Sequence, residues 1–292
     1  MSIAMNTECI LCHINKNIAT ARKLGDEATA TEFARELMKL HLRLPEGANS
    51  AMLGPDTNAL FTKYYGLSPD RYRAEKEAAN RFVLERLDQI RSRVTAAEDP
   101  VFTGLQFSIL GNYLDFSALG DQISFEKLEQ MMDSALDMEL DRECYRRFCR
   151  DLEQGKRLLY ITDNAGEIVF DRILREVLQA RYPHLEITFC VRGKIAQNDA
   201  TREDAAIVGV PFPIIDNGNA VAGTEFSLLS REALEAIEQA DVILAKGMGN
   251  VETMLGCGYN VYYAFLVKCV RFASYFNAPM MKPLFLREQD PR

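Results

Sequence analysis

The chain is poor in histidine, with only His13, His41 and His184, and none stands in a motif with a serine or cysteine nucleophile. No Gly-x-Ser-x-Gly occurs, so triad hydrolysis has no visible start. No Gly-x-Gly-x-x-Gly follows a strand-like run, which removes the dinucleotide-binding fingerprint. Gly218 and Gly223 have the glycine spacing of a phosphate-binding P-loop, but Thr224-Glu225 stands where Lys-Ser/Thr is needed. No apolar stretch reaches the length of a membrane span, so no membrane partner is expected. Met1 to Glu8 lacks a basic region followed by an apolar one, and no signal peptide is expected. Basic runs are limited to short pairs such as Arg146-Arg147, and the formal net charge is -8, a poor basis for binding nucleic acid. The seven cysteines are an odd number scattered over a large chain, which with no export signal points to a reduced cytoplasmic setting.

What is present is ordinary globular composition, 48% hydrophobic and 26% charged, over 292 residues, enough for one large or two ordinary domains. Residues 14 to 154 read as helices. Phe33, Leu37, Leu40 and Leu44 mark one helical face, and Val83, Leu87, Ile90 and Val94 repeat the spacing. Ser68-Pro69 predicts a helix start, and Ser124 predicts an N-cap for the helix through Leu128 and Met132. From Lys156 the pattern changes. Apolar runs at 158–161, 186–191, 212–215, 241–245 and 261–267 alternate with helical segments at 168–180, 201–208 and 230–240. This predicts an α/β fold with a mostly parallel sheet covered on both faces, and a boundary near Leu152–Lys156 between a helical domain, 1–152, and an α/β domain, 153–292.

Four polar segments carry candidate chemistry. In Asp163-Asn164-Ala165-Gly166-Glu167, a strand breaks into a tight turn and a helix start. Such a turn lies at the carboxyl edge of a parallel sheet, and its carboxylate and carboxamide are hard oxygen donors suited to Mg²⁺ or Mn²⁺. Gly166 permits a turn that a Cβ would hinder. The alternative is an Asx turn that caps the helix. The second segment, Arg192 to Thr201, contains Lys194, Asn198 and Asp199; Asp199 follows Asp163 by 36 residues, a distance that fits neighbouring parallel strands. The third, Lys246-Gly247-Met248-Gly249-Asn250, follows a strand, and its lysine and glycines suit phosphate, with a plain tight turn as the alternative. In the fourth, Asn112 and Asp115 would share a helical face, which is otherwise a solvated one. Cys9-Ile-Leu-Cys12-His13 matches a haem c attachment pattern, chemistry that requires export; half of a zinc site, or a reduced pair, are the other readings.

Taken in order, Cys9-x-x-Cys12, Gly111-Asn112-x-x-Asp115, Asp163-Asn164-x-Gly166-Glu167, Asn198-Asp199-Ala-Thr201 and Lys246-Gly-x-Gly-Asn250 resemble the metal-dependent damage-control phosphatases, long catalogued as domain of unknown function 89. The Cys-x-x-Cys is similar to that of the archaeal and bacterial subgroup. The resemblance covers nearly the whole chain. It implies a helical N-terminal part, a three-layer α/β/α Rossmann-like part, and hydrolysis of small phosphorylated metabolites such as sugar phosphates. It further implies a divalent cation, Mg²⁺ or Mn²⁺ with Co²⁺ or Ni²⁺ as alternatives, held by Asp163, Asn164 and Asp199. Lys246, Arg192 and Asn198 would line the phosphate site, with Asp163 and Lys246 as the catalytic pair. Asn112, Asp115, Gly166, Glu167, Gly247 and Asn250 complete the expected substrate-binding set. A non-catalytic binder of phosphorylated metabolites and a metal-dependent transferase are the competing readings. The oligomeric state is not legible.

Overall fold

The structure, a computed structural model, describes residues 3–119, 123–210 and 213–288. Among them every strand lies after residue 156, as the change of periodicity predicts. Three helices open the chain: α1 (Thr7–Leu24), α2 (Glu27–Arg43) and α3 (Gly54–Tyr65). Each of the first two starts on a side-chain cap, Asn6 accepting from Cys9 N and Asp26 from Thr29 N. Phe33, Leu37 and Phe61 close a small apolar core of their own there.

Next come α4 (Arg73–Leu84), α5 (Leu87–Thr95), α6 (Pro100–Gly111), α7 (Phe116–Leu119), α8 (Phe125–Asp133) and α9 (Arg142–Gln154). Two expectations shift here. The Val83–Val94 face is split between α4 and α5, because the chain breaks at Glu85-Arg86 while Val83, Ile90 and Val94 keep pointing to one core. Ser68-Pro69 starts a turn rather than a helix: Ser68 Oγ accepts from Asp70 N, and α4 begins only at Arg73. Ser124 caps α8 as expected, accepting from Lys127 N at 3.2 Å. From Val101 to Gly111, α6 is buried all round, the mark of a central helix.

The sheet follows: β1 (Arg157–Ile161), α10 (Glu167–Arg181), β2 (Glu186–Val191), α11 (Arg202–Ile207), β3 (Ile214–Asp216), α12 (Arg231–Gln239), β4 (Val242–Lys246), α13 (Gly247–Met254), β5 (Val261–Leu266), α14 (Val270–Tyr275) and β6 (Pro283–Arg287). Residue 212 of the expected third run lies outside the described residues. The strand order is β3-β2-β1-β4-β5-β6, parallel except for β6, an edge strand that no expected apolar run covers. The fold is thus α/β, with a mostly parallel six-stranded sheet between helical layers. Alternation along each strand decides the layers. Leu158, Tyr160, Phe189, Leu244 and Tyr262 face α6, α9 and α10, while Leu159, Ile161, Ile243, Ala245 and Tyr263 face α12–α14. The division at 152/153 follows element type. The apolar clusters follow another line, since residues of α4–α9 share one core with the sheet whereas α1–α3 have their own.

Candidate active site at the switch point of the sheet

After β1 the chain runs through α10 to β2 on one side, and β4 lies on the other side of β1. The carboxyl ends of β1, β2 and β4 therefore meet on one edge, at the point where the strand order reverses, which is where open α/β sheets form crevices. Backbone hydrogen bonds strap the loops together: Ala165 N donates to Asn198 O at 2.9 Å, and Ala200 N to Asp163 O at 2.6 Å. Gly166 turns the chain with φ +78°, and a Cβ there would stand 2.7 Å from Leu114 Cδ1.

Four carboxylates converge. Asp199 accepts from Arg192 Nε at 2.6 Å. Glu167 meets Lys246 Nζ at 2.7 Å, and Asp115 meets Lys268 Nζ at 2.6 Å. Asp163 differs. Its Oδ2 accepts from the amides of Asn112 (2.9 Å) and Asn164 (2.8 Å), and its closest cation is the Arg192 guanidinium, 3.6 Å from Oδ1. Burial, then the neighbouring charges of Asp199 and Glu167, hold the Asp163 carboxyl well above the usual carboxylate range. Burial also raises Asp199, to about 6, against the pull of Arg192. Asn164 Oδ1 accepts from Asn198 Nδ2 at 2.7 Å, and the Asn250 side chain ties Arg192 and Thr224 to the carbonyls of Thr162 and Lys246.

Asp163, Asn164, Asp199 and Asp115 line a cavity of about 730 Å³ whose opposite wall comes from α1 and α3. Its lining includes Cys9, Cys12 and Cys269, whereas Cys144 and Cys149 lie on α9 against the main core. Among the described residues no three of His, Cys, Asp and Glu are placed to hold one metal, which leaves the cysteine-based zinc reading without a site. Asn112, Glu167, Arg192, Asn198, Lys246 and Asn250 are buried behind the lining as its supports. Two sequence expectations are corrected. Asn112 and Asp115 do not share a helical face: α6 ends at Gly111, Asn112 is its C-cap, and Asp115 precedes α7, accepting from Ala118 N. Lys246 does not reach the cavity. Its ammonium is wholly buried, donating to Glu167 (2.7 Å), Asp171 (2.9 Å) and Ser108 O (3.0 Å), the partners that α10 and α6 bring to it.

Reading the sequence misses Lys268 and Asp171. Lys268 follows β5 just as Lys246 ends β4, so the strand-end signal was there without a glycine beside it. Asp171 sits inside α10, and nothing local distinguishes it from a solvated helix residue. Gly247, with φ +76°, lies against the Asp163 carboxylate, and a Cβ on it would stand 1.9 Å from Oδ2. Gly247→Ala is expected to displace that carboxylate and to lower any metal-dependent turnover at least tenfold, by loss of a position held to better than about 1 Å. Wild-type kinetics in the variant would show that the carboxylate need not sit where it does.

The comparisons agree with this architecture. The damage-control phosphatase ARMT1-like domain matches residues 5–282. An uncharacterized protein of Methanocaldococcus jannaschii is 32% identical over 280 residues, 92% of this chain and 90% of its own length. A damage-control phosphatase of Archaeoglobus fulgidus is 33% identical over 63% of this chain and 64% of its own length. One of Pyrococcus horikoshii is 32% identical over 60% and 61%. The crystal structure of a Pyrococcus horikoshii protein of the family known as domain of unknown function 89 superposes with a TM-score of 0.83 at 26% identity, covering 98% of this chain and 99% of that one. A match that runs from the first helix through the last helix of the sheet layer takes in both walls of the cavity, and on it the chain belongs to the damage-control phosphatase ARMT1-like domain family.

Proposed function

We propose that the protein is a divalent-cation-dependent phosphatase of small phosphorylated metabolites, working in the cytoplasm. Of the four convergent carboxylates, Asp163 is the one without a short ion pair, and that observation carries the reading. A buried carboxylate held by amides, beside a second one on Asp199, fits an oxygen-ligated cation. Asp163, Asn164 and Asp199 would hold it, as Mg²⁺ or Mn²⁺, with Co²⁺ and Ni²⁺ as alternatives. When bound, the cation supplies neutralisation of phosphate charge. The chain's own residues do the rest. Asn112 and Asn164 orient Asp163 through Oδ2, Arg192 fixes Asp199, and the α1–α3 wall shields the cavity. Lys268, held by Asp115 and Asn112 O, brings positive charge to the lining. The names of the Archaeoglobus and Pyrococcus relatives support phosphatase chemistry. The Cys9-x-x-Cys12 pair, on the cavity wall, supports placing the chain in the Cys-x-x-Cys subgroup.

The test is phosphate release from p-nitrophenyl phosphate and a panel of sugar phosphates, with Mg²⁺, Mn²⁺, Co²⁺ and Ni²⁺ in parallel. Turnover that a chelator abolishes is expected. Tight binding without release under every metal would establish the binder reading, and transfer of the phosphoryl group to an added acceptor, in place of water, the transferase.

A further inference from the structure

The wall of the cavity opposite Asp163 carries a chain of three side chains that the proposed hydrolysis does not use. His13, on α1, places Nε2 3.1 Å from the hydroxyl of Thr57, in the first turn of α3. Its Nδ1 lies 3.0 Å from Nε2 of His41, on α2. The far nitrogen of that second ring, His41 Nδ1, is buried without a partner. His13 and Thr57 both line the cavity, and Thr57 is 5% exposed.

The orphaned nitrogen decides which way the hydrogen bonds run. If Thr57 donated to His13, then His13 Nδ1–H would donate to His41 Nε2, and the proton of a neutral His41 would sit on Nδ1 with no acceptor. A buried N–H without an acceptor is rarer and more costly than an unused lone pair. The opposite polarity leaves only a lone pair on His41 Nδ1. In it, His41 Nε2–H donates to His13 Nδ1, and His13 Nε2–H donates to Thr57 Oγ1. A doubly protonated His13 would set two N–H groups against each other at Nδ1, and burial followed by His41 pushes His13 down to about 4, so the ring stays neutral. Thr57 thereby accepts from the protein and keeps its own proton. Among the described residues its hydroxyl has no second partner. The proton is left for whatever fills the cavity.

We propose that Thr57 is a specificity-determining hydrogen-bond donor to a hydroxyl or carbonyl oxygen of the substrate's leaving group, with His13 and His41 as positioning residues that set the direction of that hydrogen bond. The placement suits the leaving group rather than the phosphoryl group. The candidate cation ligands come from the sheet edge, whereas Thr57 stands on α3, in the opposite wall of the same cavity. The proposal rests on the phosphatase reading for its consequence and on the hydrogen-bond geometry for its cause, and the two are tested separately.

The cause is read without turnover. Long-range ¹H–¹⁵N correlation spectra of the ¹⁵N-labelled protein report the tautomer of each imidazole. Both His13 and His41 are expected as neutral Nε2–H tautomers. An Nδ1–H tautomer at His13 would overturn the proposal, whatever the enzyme does. The consequence is read by kinetics with Mn²⁺. Thr57→Val keeps the shape and removes the hydroxyl. It is expected to raise KM roughly five- to tenfold for a hydroxyl-rich hexose phosphate, the loss of about one neutral hydrogen bond, while kcat/KM for p-nitrophenyl phosphate, whose leaving group has no hydroxyl, stays at the wild-type value. Thr57→Ser is expected to restore the hexose phosphate. Equal losses on both substrates, or no loss on either, would overturn the assignment of Thr57. Failure of the wild-type protein to release phosphate from any substrate under any metal would overturn the phosphatase reading instead, leaving the tautomer result to stand or fall by itself.

Discussion

Lys246→Met is expected to lower the free energy of unfolding by about 3–5 kcal/mol, the range for removing one partner from a buried ion pair. The ammonium is wholly inaccessible and lies between Glu167 and Asp171, each within 2.9 Å. Asp171 also accepts from Tyr160 and Ser108, and burial still raises its carboxyl to about 6 despite the lysine. Without Lys246, two carboxylates face each other in a space that water does not reach, and one must take up a proton or the core must open. Urea unfolding followed by circular dichroism measures the loss. The same network fixes Glu167, which accepts from both Asn112 and Asn164, so the loss of order would spread to the cavity floor. A variant with wild-type midpoint and a selective fall in kcat would return Lys246 to the phosphate role that its strand-end position suggested.

Asp163→Asn should act in the opposite direction on the two properties. Turnover is expected to fall by about a thousandfold or more, the scale of losing one preorganised charged partner in a water-excluded site. Mn²⁺ affinity, by calorimetric titration, should drop by more than roughly a hundredfold, beyond the 10- to 100-fold seen when only outer-shell partners are lost. The metal-free protein should be no less stable than the wild type, because the substitution removes one of several buried like charges. Retained Mn²⁺ affinity would refute the assignment of Asp163. A large drop in metal-free stability would mean that its hydrogen bonds from Asn112 and Asn164 outweigh its repulsion by Asp199 and Glu167.

Together the two substitutions separate what supports the site from what the site does. Lys246 and Asp163 stand at the ends of adjacent strands and look alike in one dimension, each a charged residue that closes an apolar run. In three dimensions one ion-pairs inward and the other opens to the cavity. Hydrophobic alternation cannot tell these apart, because a strand-end side chain turns inward or outward according to which partners the neighbouring helices bring.

The sequence by itself determined the change from helices to alternating strands and helices near residue 156 and the turn at Asp163 to Glu167, each of which rests on contacts a few residues apart. Composition and the missing motifs were equally local, and without reference to any structure they left a dinucleotide fold without its fingerprint and triad hydrolysis without a nucleophile motif. The ordered set of short motifs carried the family. Only the tertiary structure decided the partners. Asp115 pairs with Lys268 at a separation of 153 residues, Asn112 reaches Asp163 across 51, and Lys246 reaches Glu167 across 79. It also decided that α6 stops at Gly111, so that Asn112 turns its amide onto Asp163, and that an antiparallel edge strand, β6, completes the sheet. Long-range polar pairs of this kind leave no periodic trace, since one side chain at each end suffices and the chain between them is free to vary. Their geometry is set by how the helices pack on the sheet, and that is a property of the assembled core.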